Sequence, residues 1–398
     1  MSNKAGFTGL AVIVFSVLSI VTARAQQYSF NGSDYNKTII TAVPFLTITP
    51  DARSAGMGDA GVAITPDANA AWWNAGKSCF LEKKMGFAIS YTPWLRSLGV
   101  NDIFLFNGSG YYKFVHEDAL SVNFTYFNLG SITFTDQVGS KIMDFNPNEN
   151  AIMVGYSRRL SDNFGLGVNG RFIHSNLSGS ITNGGSANIG TNSRPANSAS
   201  VDVGAYYTRE ISVNGSPADL SFGLNMSNIG PKVSYSDQNR RDFIPTNLKV
   251  GGALTMELDQ YNKLTFTVDA NKLLVPTPSV DSSGTPVSTQ DVSFVSGMVK
   301  SLYDAPGGGS EKLQEIIIAS GLEYWYDQIL AVRGGYFYEA QNKGNRRYFT
   351  AGVGLRYQQF GIDFAYLIPV QTNNPLSDTF RFTLHFDLDT PKEESVKN

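Results

Sequence analysis

The sequence predicts an all-β fold, a transmembrane antiparallel up-and-down β-barrel of about fourteen strands. Three observations predict it. Residues 313–388 alternate large apolar side chains with glycine, threonine and charge. Short and long connections take turns along the chain. Charged residues are only 16% of the 398, against 12% aromatics and 39 glycines, and no apolar run after the amino terminus is long enough for a spanning helix.

Alternation means strand, because successive side chains leave a pleated chain on opposite faces. Phe380, Phe382, Leu384, Phe386 and Leu388 alternate with Arg381, Thr383, His385 and Asp387. Leu330, Val332, Tyr336 and Tyr338 oppose Ala331, Arg333, Gly335 and Phe337, and Asp327-Gln328 supplies the tight turn before them. Strands are expected near 84–92, 102–115, 119–129, 149–160, 164–176, 198–210, 218–229, 246–258, 263–276, 313–326, 329–340, 346–358, 361–370 and 379–388.

A two-faced strand also suits a soluble sandwich. The connections separate the two folds. Turns at 116–118, 161–163, 213–217, 259–262, 326–328 and 359–360 are short. Polar, glycine- and proline-bearing loops lie between them, at 93–101, 131–148, 177–197, 230–245, 277–312 and 372–378. A meander through a membrane sorts its loops in this way, short on the periplasmic side and long outside. The apolar faces then meet outer-membrane lipid and the polar faces line a lumen.

Four regions are expected. Residues 1–25 read as a cleaved signal peptide: Lys4, an apolar run, then Ala23-Arg24-Ala25. Residues 26–82 read as an amino-terminal plug inside the lumen or an extension packed on the barrel, with one or two helical turns over 68–73 capped by Asp67. The barrel spans 83–388, and 389–398 is a polar periplasmic tail. Within 277–312, Val292, Val295, Met298, Val299 and Leu302 have the spacing of a short amphipathic helix that covers the rim or docks a partner.

Loss of residues 1–25 removes Lys4 and Arg24 and no acid, so the formal charge moves from −3 to −5, which argues against a nucleic-acid partner. The one cysteine, Cys79, cannot form an internal disulfide and reads as a small buried residue. The three histidines, His116, His174 and His385, form no metal-binding motif, and His174-Ser175 point to opposite faces of one strand. No catalytic residue, metal or cofactor is therefore expected.

Two groups of residues stand out. Lumenal parity collects Asp269, Glu323, Arg333, Arg356, Asp363 and Arg381, together with Asn169, Arg171, Asp202, His385 and Asp387, as a mixed-sign network that braces the interior. Trp94, Leu95 and Leu98 put an apolar cluster in the first long loop, a partner surface together with Val292, Val295 and Met298, or an interfacial girdle in the case of Trp94.

Gly56-Met-Gly-Asp-Ala-Gly-Val-Ala63, Gly321-Leu-Glu-Tyr-Trp-Tyr326, Arg333-Gly-Gly-Tyr336, Gly352-Val-Gly-Leu-Arg356 and Asp363 resemble the FadL-type outer-membrane barrels. The resemblance is closer to the PorV family, through Val43-Pro-Phe-Leu-Thr-Ile-Thr-Pro-Asp51, Ser90-Tyr-Thr-Pro-Trp-Leu-Arg96, Ser109-Gly-Tyr-Tyr-Lys-Phe114, Ile132-Thr-Phe-Thr-Asp136 and Ala305-Pro-Gly-Gly308. One departure is Asn74-Ala75-Gly76, where FadL-type chains usually carry Asn-Pro-Ala. The resemblance implies a monomeric fourteen-stranded barrel without enzymatic activity, a shuttle of type IX protein secretion. Its implied partners are the translocon channel protein, the carboxy-terminal domains of secreted cargo and the surface attachment complex. The alternative it leaves is FadL-like transport of hydrophobic small molecules, against which the lumen reads as charged and glycine-lined.

Overall fold

The computed structural model describes residues 38–388, apart from 97–98, 115–116, 136–137, 178–193, 237–239, 282, 284, 372–375 and 377–378. The expected signal peptide, the first part of the plug, Leu98, His116 and the tail lie outside the described residues.

The strands are β1 (Met85–Pro93), β2 (Ile103–Lys113), β3 (Asp118–Leu129), β4 (Ile132–Thr135), β5 (Lys141–Phe145), β6 (Asn148–Ser161), β7 (Phe164–Asn176) and β8 (Ala196–Val213). They continue as β9 (Ser216–Ile229), β10 (Asn247–Glu257), β11 (Asn262–Leu273), β12 (Ile316–Tyr326), β13 (Leu330–Tyr338), β14 (Arg347–Tyr357), β15 (Phe360–Pro369) and β16 (Phe380–Leu388). All but β4 and β5 form one closed barrel of fourteen strands, each antiparallel to its sequence neighbours around the ring. The ring closes where β1 pairs with β16, from Met85 opposite Leu388 to Tyr91 opposite Phe382. Closure leaves no strand edge, which a membrane interior requires because lipid offers backbone amides no partner.

The two faces sort as the alternation predicts. Val332, Leu355, Ile362 and Leu384 are exposed on the outer wall, while Ala331, Arg333, Asp363 and Thr383 are buried inside. Aromatic rings pair on the outer wall, as in the stacked Phe87 and Phe386 rings, 4.6 Å apart. The Asp327-Gln328 turn has positive φ at both residues, 51° and 53°. Its twist therefore matches that of the flanking strands.

Residues 43–81 lie inside the ring as the plug. They form short helices α1 (Ala52–Gly56) and α2 (Ala70–Trp73) and 3-10 turns at Pro44–Thr47 and Ala75–Phe80. Asp51 caps α1, accepting from the Ser54 amide at 2.8 Å. Plug backbone abuts the wall at inward glycines. A Cβ at Gly321 would meet Met57 at 2.5 Å, and one at Gly335 would sit on the Met57–Gly58 peptide. The glycines on the polar parity are thus clearance for a second backbone.

Four expectations change. Helix α2 is a single turn with Asn69 at its amino end, and Asp67 instead accepts from the Asn69 amide at 2.8 Å and pairs with Arg53 at 3.1 Å. The loop at 131–148 carries its own hairpin, β4–β5. The strand expected from 313 begins at Ile316, because its partner β11 last pairs through Lys272, and the preceding residues form a helix, α4 (Gly308–Gln314). Helix α3 (Phe294–Lys300) precedes it. Finally, the long-loop half of the lumen holds apolar clusters beside its charges. Phe45 and Leu46 of the plug pack there against inward Leu105, Phe127 and Ile173, and Phe337, Tyr348 and Leu367 cluster with Ala60. Strand parity reports which face a residue occupies but not its height, so it could not show that apolar clusters fill part of the outer half.

Replacing Gly335 with valine should force the plug off the wall. We expect a barrel that still runs as a folded species on unheated gels, yet becomes cleavable by protease between residues 43 and 81. A plug as protected as in the parent chain would show that the glycine clearance is not needed.

Candidate functional site

The plug is held by charge. Arg53, on α1, donates to Glu323 on β12 through Nε at 2.9 Å and Nη2 at 2.8 Å. Glu323 also accepts from Arg333 Nε at 2.7 Å. Arg333 Nη1 reaches Asp363 at 2.8 Å, and Asp363 is shared with Arg356 at 2.8 Å and with His385 Nε2 at 2.6 Å. Signs alternate along this chain, so each buried charge faces an opposite one, the condition under which burial is tolerated. Of the six wall residues singled out from sequence, Glu323, Arg333, Arg356 and Asp363 meet here. Asp269 and Arg381 lie elsewhere on the wall. Asp269 accepts from the Gly61 and Val62 amides at 2.7 and 2.9 Å. Arg381 faces Asp59 at 3.4 Å. Both therefore tie wall to plug, which parity alone could not foresee. Arg53 was missed, since it sits in no strand and its partner is 270 residues away.

A second brace, Arg171–Asp202 at 2.9 Å, holds a bulge between β8 and β9, where the Asn228 amide donates to Asp202 at 2.8 Å. Ser175 donates to Glu149 at 2.7 Å and accepts from Tyr235 at 3.0 Å, with His174 directed to Asn197 on the opposite face. Cys79 is buried, its thiol donating to the Gly76 carbonyl at 3.3 Å.

The long-loop end carries the surface features. Helix α3 docks through Gly297, whose Cβ position is filled by Phe243, and through buried Ser301. Lys232 crosses to the carbonyls of Thr289, Gln290 and Val292 at 2.9–3.1 Å and stacks over Phe243. The apolar stripe of α3 is turned away from the rim: Val295, Val299, Leu302 and Tyr303 are 54–68% exposed, with Val292 and Met298 half-buried at its margin. The common outcome for such a stripe, burial against its own rim, is not the one adopted. Trp94 goes the other way. It is half-buried, turned inward edge-on to Phe127 at 6.3 Å, so it is neither a girdle residue nor a fully outward one. Leu95 beside it is partly exposed, with φ of 55°.

An ionic cluster clamps the α4 end of this loop to the barrel. Glu315 accepts from Lys272 at 2.5 Å, Lys343 at 3.1 Å and Thr277 at 2.6 Å, and Lys343 also holds Glu311 at 2.7 Å. Burial pushes the Glu315 carboxyl up, but the bonds from Lys272 and Thr277 outweigh it and hold the group down at about 2.

The profile of the family described as Type IX secretion system protein PorV matches residues 31–280. The chain belongs to the PorV family. Among solved structures it is similar to the toluene transporter TbuX of Ralstonia pickettii, with 13% identity, covering 85% of this chain and 97% of that one, at a TM-score of 0.45. It is likewise similar to a FadL homologue of Pseudomonas aeruginosa, with 12% identity, 88% and 99% coverage and a TM-score of 0.45. The toluene transporter TodX of Pseudomonas putida gives 13% identity, 83% and 95% coverage and a TM-score of 0.45. No curated protein is matched by the sequence. This PorV family member is an outer-membrane protein: its apolar wall meets lipid, and the long loops face outward.

Arg53→Met should leave Glu323 in the plug interface with one of its two guanidinium partners gone. Loss of one partner of a buried pair costs about 3–5 kcal/mol. We expect a clearly lower urea midpoint for unfolding in vesicles, whereas an unchanged midpoint would show that the pair contributes nothing. The Glu315 clamp has a depressed folded-state carboxyl, so its stabilisation is present above the unfolded value of 4.5 and is lost as pH falls toward about 2. Amide hydrogen exchange in α3 and α4, corrected for intrinsic rates, should therefore accelerate between pH 5 and about pH 2 in the parent chain. It should change far less in Glu315→Gln.

Proposed function

We infer that this barrel is a non-enzymatic carrier of type IX secretion. It takes secreted proteins by their carboxy-terminal domains at the translocon channel and passes them to the surface attachment complex. Family membership supports the secretion role. The observation that carries the mode of action is the plug locked to the wall by Arg53 and Glu323. A lumen filled and bonded in this way favours work at the outer face over passage through the barrel. The exposed stripe of α3 offers apolar area of the kind partner surfaces use. The continuous ring and the bonded plug weigh against uptake of hydrophobic molecules through the lumen and a lateral gap.

Deleting the gene and profiling secreted proteins separates the readings. Surface proteins stranded in the periplasm fit the carrier, and normal secretion with lost uptake of hydrophobic solutes overturns it. Replacing Val295, Val299 and Leu302 together with serine should leave a folded barrel. Co-purification of the translocon channel should fall at least about tenfold, as expected when a few apolar anchors carry the contact. Undiminished recovery would exclude the α3 stripe as the docking face.

A further inference from the structure

The outward face of β14 begins with a charge. Arg347 is the first residue of that strand, at the long-loop end, and shares its parity with Phe349, Ala351 and Val353. It is paired with Tyr338 on β13, and its carbonyl accepts from the Val370 amide at 2.9 Å. Residues opposed across a ladder hold their side chains side by side on one face. The Tyr336 ring, two residues back along β13, packs on Phe349 at 4.8 Å. Its hydroxyl lies within the field of both Arg347 and Tyr338. Phe349, Ile368 and Val370 are exposed on the same stretch of outer wall.

The other cations on this arc of the rim are taken. Lys272 is held by Glu315 at 2.5 Å, Lys312 by Asp304 at 2.7 Å, Lys343 by Glu311 at 2.7 Å and Arg346 by Glu339 at 2.8 Å. Each of these cations has its own carboxylate, and Arg347 is left over. Among the described residues its guanidinium has no ion pair, and its Nε is buried without a hydrogen-bond partner.

Buried polar groups are ordinarily satisfied, and a guanidinium is best completed by an anion that accepts two bonds in its plane. The phenols beside it add single O–H donors. An anion that meets all of them needs more acceptor oxygens than the two of a carboxylate, and a phosphate has them. The setting decides what carries that phosphate. Arg347 opens onto the lipid-facing wall, and the side chains around and below it are aromatic or aliphatic. A phosphate attached to acyl chains satisfies both: its charge sits at the level of the headgroups, where interfacial tyrosines stand, and its chains lie on the apolar wall. A free phosphate meets only the donors. An acidic protein partner would have to enter the hydrocarbon level to reach them.

We propose that Arg347 holds the phosphate of an outer-leaflet lipid on the outer wall of the barrel. Tyr336 and Tyr338 are the further donors, and the acyl chains lie along Phe349 and Ile368. The inference goes beyond the secretion reading and rests on the outer wall alone, away from the plug and from α3.

The test uses the full barrel in a neutral detergent, with bound lipid counted by native mass spectrometry. The probes are phosphatidic acid, the diacylglycerol with the same chains, and inorganic phosphate. Phosphatidic acid should bind at least about tenfold more tightly than diacylglycerol, the share of one charge-assisted pair. Arg347→Gln should remove that preference. Lys300→Gln, which takes an exposed charge from the end of α3, should leave it unchanged. If Arg347→Gln does not fold, Tyr336→Phe combined with Tyr338→Phe should still lower the preference, by a smaller factor. Equal binding of the two lipids, or no binding of either, overturns the phosphate assignment. An equal loss in Lys300→Gln and Arg347→Gln reduces the effect to bulk charge and overturns the site. Inorganic phosphate that displaces phosphatidic acid at equal concentration overturns the lipid as its source.

Discussion

The closing ladder between β1 and β16 is the constraint from which the rest follows. A β-sheet can stand in hydrocarbon only if every backbone donor has a partner within the sheet, so the first and last strands must meet in register. Met85 to Tyr91 therefore pair with Leu388 to Phe382, although some three hundred residues separate them. Once the ring closes, side chains have only two places to go, lipid or lumen. A lumen enclosed by fourteen strands is too wide for its own side chains to fill. The amino-terminal segment fills it.

That filling has two chemistries at two heights. In the middle, plug backbone lies against glycines of the wall, and alternating charges bond the two together from Arg53 to Asp363. Toward the outer mouth, Phe45 and Leu46 build an apolar core against strands β2, β3, β6 and β7. The first chemistry fixes position, because an ion pair in a dry interior has one good geometry and a steep cost for losing it. The second supplies area. Between the two lies the cavity lined by Lys249, whose ammonium rests over the rings of Trp72 and Trp73.

The outer face is organised differently. Helix α3 is held by its polar margin and by a glycine contact, while the ionic cluster at Glu315 secures the segment that follows. The stripe of Val295, Val299 and Leu302 is thus presented on a fixed support. Isolated exposed apolar residues are ordinary, and a stripe displayed by a clamped helix is the surface proposed above for a partner. It sits with a family whose members serve secretion.

Local pattern was enough to determine the barrel. Alternation at Phe380 to Leu388 gives both strand and face, and the length of each connection gives its side of the membrane. It was also enough to place Glu323, Arg333, Arg356 and Asp363 on the inner wall, because parity is a property of neighbouring residues. Other facts depend on contacts between residues far apart in sequence, and no local period carries them. The bond from Arg53 to Glu323, the inward turn of Trp94 and the short helix before β12 were decided only when the ring closed on its plug. Height within the lumen and the identity of each partner are set by that packing, which brings distant segments to the same level of the barrel.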